Sequence, residues 1–140
     1  IIINTSSVGG LVTMPLFHVY GSTKWALEGF MEGLQFELKQ FNIKVKTIQP
    51  GVTQSEFENS TEFVSTKAYD KYTSQVHKNI LVNQKNAPTG EIVARKIWKA
   101  AKDNSYRLRY TVDGQGRVML LMRWLLPLSW FNKILSRLIE

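Results

Sequence analysis

The succession of a short apolar strand, a long helix and a second strand constrains this chain more than any other feature. Ile1-Ile2-Ile3 runs into Asn4-Thr5-Ser6-Ser7 and the pair Gly9-Gly10, and a helical pattern follows over residues 18–41. Ala26, Leu27, Phe30, Leu34 and Leu38 recur at steps of three and four, which predicts that they share one helix face. After Asn42, a natural stop, Ile43-Lys44-Val45-Lys46-Thr47-Ile48 alternates apolar and polar until Pro50-Gly51 breaks it, as a strand ending in a turn should. Strands joined through a helix lie parallel, and a parallel sheet requires helices on its faces. The expected fold class is therefore α/β. The unbroken run Ile1–Ile3 suits a strand covered on both faces. It opens the chain without Met, basic leader or cleavage site. We therefore expect a C-terminal portion whose preceding half supplies the rest of the sheet.

Composition enters mainly through what it excludes. The 140 residues are 44% hydrophobic and 21% charged, enough for one domain with a core. With no cysteine there is no disulfide framework, zinc ribbon or thiol nucleophile, and His18 and His77 are too far apart in sequence for a compact metal motif. His18 reads as an exposed helix-start residue and His77 as a solvated one. The net charge of +7 speaks to solubility and non-specific attraction. Arg95, Lys96, Lys99 and Lys102 form a basic cluster on one helix. No nucleic-acid-binding motif accompanies them, so a solvated helix face is expected and no nucleic-acid partner.

Residues 53–86 are polar, with weak helical stretches over 64–72 and 74–82, and read as a mobile insert. Thr89 offers an N-cap, and Glu91 an early negative charge, for a helix reaching Lys102 with Ile92, Val93, Ile97 and Ala101 on its apolar side. Residues 107–112 read as a short strand ended by Asp113-Gly114. The division expected is 1–115, carrying the site, and an apolar tail, 116–140, broken at Pro127 into two amphipathic helices. Arg123 and Pro127 make that tail too interrupted to span a bilayer. A lid over an apolar substrate or a packing surface is the preferred reading of the tail. The alternative is membrane-surface contact through Trp124, Trp130, Lys133 and Arg137.

Chemistry concentrates at Tyr20 and Lys24, one turn apart on a single helix face. An ammonium beside a phenol favours the phenolate, which makes proton exchange near neutral pH practicable. Such a pair also arises by chance on many helices, and its position decides between the two readings. Ser6 and Ser7 end one strand, Pro50-Gly51 ends its parallel neighbour, and Tyr20 opens the helix between them. In open α/β sheets the site lies beyond the carboxyl ends of the strands. A strand-end serine also commonly caps a turn, and Met14, Leu16 and Phe17 serve equally as pocket lining or as packing on the sheet rim.

These residues resemble the short-chain dehydrogenase/reductase family. Its Y-x-x-x-K motif is matched by Tyr20-Gly21-Ser22-Thr23-Lys24. Its strand-end serine, about thirteen residues earlier, selects Ser7 over Ser6, and its P-G motif is matched by Pro50-Gly51-Val52-Thr53-Gln54-Ser55. The resemblance runs over most of residues 1–57. It implies a Rossmann-like doubly wound parallel sheet and an oxidoreductase moving a hydride between NAD or NADP, with NADP favoured, and a carbonyl or alcohol carbon. Tyr20 would be the general acid or base. Lys24 would assist it and bind the nicotinamide ribose, and Ser7 would hold the substrate oxygen. Pro50, Gly51, Val52, Thr53 and Ser55 would flank the nicotinamide. The expected partners are a small carbonyl or alcohol substrate, an apolar one among the candidates, and further copies of the chain packed through long helices. The expected compartment is the cytoplasm. The family's glycine-rich phosphate turn and the helix bearing its catalytic asparagine are absent from these 140 residues. The piece alone is therefore expected to have little activity. The alternative function is a catalytically silent relative acting through its basic and apolar C-terminal surface.

Overall fold

The computed structural model describes residues 1–55 and 66–139. Its strands are β1 (Ile2–Thr5), β2 (Val45–Gln49) and β3 (Arg109–Thr111), and its helices are α1 (His18–Leu38), α2 (Asp70–Lys85), α3 (Glu91–Lys102), α4 (Gly114–Leu125) and α5 (Leu128–Ile139). The strands lie in the order β1-β2-β3, all parallel, with Ile2 opposite Val45 and Thr47 opposite Arg109. The crossover read from the sequence is thus present. α1 closes in a 3₁₀ turn, Lys39–Phe41, and Asn42 takes the left-handed conformation (φ 54°) that ends a helix, a geometry asparagine tolerates better than most side chains.

β2 is the central strand and every one of its residues is buried. Alternation sends Thr47 and Gln49 toward α1, and Lys46 and Ile48 toward α3. On the α3 side Ile48, Ala100, Tyr110 and Val112 form a core joined by Ile3, Ile92, Val93 and Ile97. Lys46 reads in sequence as a polar position of an alternating strand, yet it is fully buried here. Its ammonium donates to the carbonyls of Ala100 (2.9 Å) and Asp103 and to the Tyr110 hydroxyl (3.0 Å). The last turn of α3 leaves carbonyls without helical partners, and the lysine satisfies them. Burial pushes its amine down from the usual lysine range, opposed by the nearby Asp103 carboxylate. The α1 side is polar instead. The buried Glu28 carboxylate accepts from Gln49 (3.0 Å), Thr47 (3.4 Å) and Arg109 (2.9 Å), whose guanidinium also reaches Glu32 at 2.5 Å.

Beside that polar seam α1 buries only part of the face its apolar spacing predicts, with Leu27, Leu34 and Leu38 half-buried. Gly21, Glu28 and Met31 are buried, whereas Ala26 is exposed and Phe30 is 64% exposed. The buried line follows the partners of Glu28 rather than the most hydrophobic stripe. Ile1 and Ile2 are exposed at the edge of the sheet, since β1 pairs only with β2 among the described residues. Of the two weak helical stretches, the second and only residues 70–72 of the first lie in the single helix α2; residues 66–69 form a turn, and Val64 and Ser65 lie outside the described residues. Thr89 does not cap α3. Gly90 occupies the cap position with no side-chain bond, while Thr89 forms a backbone bridge with Gln54. In α3 it is Ala100, not Ala101, that enters the core. Asp113 does more than end β3, since its carboxylate caps α4 by accepting from the Gly116 amide at 2.6 Å. The helices of 116–139 break at Pro127 as read, and Phe131 and Leu135 of α5 join Val8 and Val12 in a second core.

Candidate active site

The site is built where β1 and β2 end. β1 runs out through Ser6 and Ser7 into a 3₁₀ turn, Val8–Gly10, that packs against the first turns of α1. The Val8 amide donates to the Pro50 carbonyl at 2.9 Å, so the loops following the two strands are tied to each other. Ser7 Oγ accepts from the Gly9 amide at 3.0 Å, which fixes the oxygen. Its proton is directed at the Pro50 carbonyl over 3.4 Å, a long bond that a better acceptor can replace. Turn capping and a weakly held hydroxyl proton therefore coexist at this serine. Ser6 Oγ is buried and lacks a partner among the described residues. It sits beneath Gly10, where an added Cβ would lie 2.9 Å from it and 2.9 Å from Glu28 Cγ.

Gly9 marks the convergence of the serine and the tyrosine. A Cβ built there would lie 3.4 Å from Ser7 Oγ and 3.5 Å from Tyr20 Cε1, so both side chains border one small gap. Lys24 places its ammonium 5.8 Å from the Tyr20 ring centroid and donates to the Thr5 carbonyl, the last of β1, at 3.2 Å. That bond anchors the lysine to the strand end while its charge stays beside the phenol. Phe17 closes the other side edge-on, its ring centroid 6.2 Å from that of Tyr20 at 80°. Leu16 before it holds a left-handed backbone (φ 63°), a strained conformation for a branched side chain. Met14, Pro15 and Phe17 line a cavity of about 60 Å³ with Val76, Ile80, Asn79 and Asn83 of α2 and Leu138 of α5.

The structure thus brings Ser7, Tyr20, Lys24 and Pro50 to one rim. Gly51 is drawn toward α4, its amide donating to Asp113 Oδ2 at 2.9 Å, so that amide is already engaged. Val52 and Thr53 follow, after which the chain is held elsewhere. Gln54 bridges to Thr89, and the Ser55 carbonyl accepts from Gln84 of α2 at 3.3 Å. His18 is exposed, as read. Sequence reasoning missed Asp113, which joins the Pro-Gly turn to the start of α4. An aspartate just before an apolar helical run is a recognisable cap signal, but its bond to Gly51 across the sheet is not.

Residues 1–63 match the family model described as short chain dehydrogenase. YusZ of Bacillus subtilis, described as an uncharacterized oxidoreductase, is 36% identical over 143 residues, covering 97% of this chain and 51% of the relative. The chain belongs to the short-chain dehydrogenase/reductase family. It spans about half the length of the curated relatives it matches and corresponds to their C-terminal part. Its sheet is accordingly a portion of the Rossmann-like sheet of this family. The crystal structure of a short-chain dehydrogenase from Streptomyces avermitilis superposes with TM-score 0.65 at 24% identity, over 97% of this chain and 47% of that one. ElxO, solved with NADP bound, gives TM-score 0.60 at 27% identity over 84% and 46%.

Proposed function

We propose that this short-chain dehydrogenase/reductase is an NAD(P)-dependent oxidoreductase acting between a carbonyl and an alcohol, with Tyr20 as its proton donor and acceptor. The observation that carries this is the gap at Gly9, bordered by Ser7 Oγ and the Tyr20 ring, with the Lys24 ammonium beside the same ring. The residues around the gap fit a nicotinamide nucleotide. Lys24 offers a donor at the end of β1, and Gly51, where a Cβ would stand 2.6 Å from Asp113 Oδ2, lets the turn after β2 pack closely on Asp113 beside the same rim. Lys24 would hold the ribose hydroxyls, and the backbone at Val52 and Thr53 would flank the carboxamide. When bound, the nicotinamide supplies or takes up the hydride.

The chain's own residues manage the oxygen. Ser7 turns its proton from the Pro50 carbonyl to the substrate oxygen, while the Gly9 amide keeps Oγ in place. In reduction, Tyr20 gives its proton to that oxygen as the carbonyl carbon gains the hydride, and the Lys24 ammonium stabilises the phenolate left behind. In oxidation the phenolate takes the proton from the alcohol.

Tyr20→Phe in the full-length enzyme removes only the hydroxyl. Turnover of a carbonyl substrate is expected to fall by about 10²–10⁴-fold, the usual contribution of one positioned acid or base, with NADH or NADPH binding retained. Unchanged turnover overturns the mechanism.

A further inference from the structure

At the elbow where α4 meets α5 several large apolar side chains are exposed together. Between Trp124 and Trp130 the chain exposes Trp124 (80%), Leu125, Leu128 and Trp130 (64%). Val118 and Leu121, also exposed, extend the patch back along α4 on the same face as Leu125. The same two helices place Phe131 and Leu135 against Val8 and Val12, with Met119, Leu120, Met122 and Leu126 packed around them. One face of the pair is spent on the interior and the other faces outward.

Charge narrows what this face can meet. From Gly114 to Ile139 there is no aspartate or glutamate, whereas Arg117, Arg123, Lys133 and Arg137 are present. Arg117, Lys133 and Arg137 are exposed, and the Arg123 guanidinium lies 5.9 Å from the Phe131 ring centroid. The outer face of α1 also exposes apolar groups, Phe30 and Phe36, but the carboxylate exposed beside them is that of Glu37, which disfavours an anionic surface there.

We propose that the α4–α5 elbow docks on the surface of an anionic lipid bilayer. Trp124 and Trp130 sit at the level of the headgroups, Leu125 and Leu128 reach below them, and the exposed cations Arg117, Lys133 and Arg137 meet lipid phosphate, while Arg123 stays over the buried Phe131 ring. Tryptophan prefers this boundary because its ring is apolar while its N–H keeps a polar partner. An apolar face bordered by cations is the pattern of helices that lie in the interface. The elbow lies on the bilayer without spanning it, since no described helix is long and apolar enough to cross.

The test uses the full-length protein and unilamellar vesicles of phosphatidylcholine, with or without one third phosphatidylglycerol, in a flotation gradient. The protein is expected to float with the anionic vesicles, to float less at high salt, and to shift its tryptophan emission to the blue on binding. Trp124→Ser with Trp130→Ser should abolish flotation while leaving the circular dichroism spectrum and melting temperature intact. Lys133→Gln and Arg137→Gln should each weaken partitioning by about fivefold. Three results would each overturn the proposal: no flotation with anionic vesicles; flotation unaffected by the tryptophan pair; or a tryptophan pair that changes the protein's mass in solution without vesicles, which would make the elbow an interface between copies.

Discussion

Gly9 and Gly10 are neighbours with opposite requirements. At Gly10 a Cβ would meet Glu28 Cγ and Ser6 Oγ at 2.9 Å and the Lys24 carbonyl at 3.1 Å, so the turn can pack on α1 only without a side chain. Gly10→Ala is expected to lower unfolding free energy by about 1–3 kcal/mol, as overpacking does, measured by urea denaturation. At Gly9 the same methyl finds ordinary contact distances, and the fold should survive. The methyl would nonetheless occupy the gap between Ser7 and Tyr20, so Gly9→Ala should reduce turnover with little change in stability; equal losses in both would place the gap elsewhere. Asp103 sets a pH dependence at the same scale. The Tyr110 hydroxyl, and then the Ser105 amide and hydroxyl, hold its carboxyl well below the usual carboxylate range. The folded state therefore binds this proton less readily than the unfolded chain, and the stability it contributes is present at neutral pH and lost as pH falls below about 4. Melting temperature should decline over that acid range, and Asp103→Asn should flatten the decline.

Among the elements, α4 depends on a residue whose work is shared with the site. Asp113 accepts from Gly116 within its own cap and from Gly51 across the sheet, so one carboxylate orders both the helix start and the turn beyond β2. Asp113→Ala is expected to cost about 1–2 kcal/mol, the usual value of a lost cap, and to weaken nucleotide binding because the Pro50–Gly51 turn loses its anchor. Asp113→Asn keeps one oxygen acceptor and sets an NH2 against the other backbone donor, so it should recover one of the two effects and not both; chemical denaturation and nucleotide titration measure them separately. α1 shows how an element's orientation escapes its own periodicity. Its spacing identified a helix, but the carboxylate of Glu28, needing Gln49, Thr47 and Arg109, chose which side faces the sheet.

Across the whole molecule, the last helix and the first loop share one core. Phe131 is buried against the cluster that includes Val8, adjacent to Ser7. Phe131→Ala should destabilise the protein by about 3–5 kcal/mol. Hydrogen exchange should show the amides of residues 8–12 opening more readily than those of β2, since the cavity lies under the turn that carries the serine. Uniform loss of protection would mean that the two cores open together.

The sequence by itself determined the strand–helix–strand crossover, the parallel sheet, the break at Pro127 and the pairing of Tyr20 with Lys24. Each is written in local spacing, which a helix or strand converts directly into direction. The convergence of Ser7 and Tyr20 over Gly9 was legible only as an order of motifs along the chain, and its geometry came with the packing of the first loop on α1. Tertiary structure alone decided that Lys46 is buried, that Ala26 and Phe30 face outward, and that Asp113 reaches Gly51. In each case the reason is a polar group whose partners lie far away in the chain: a buried ammonium or carboxylate must find donors or acceptors wherever the fold supplies them, and no local period encodes that.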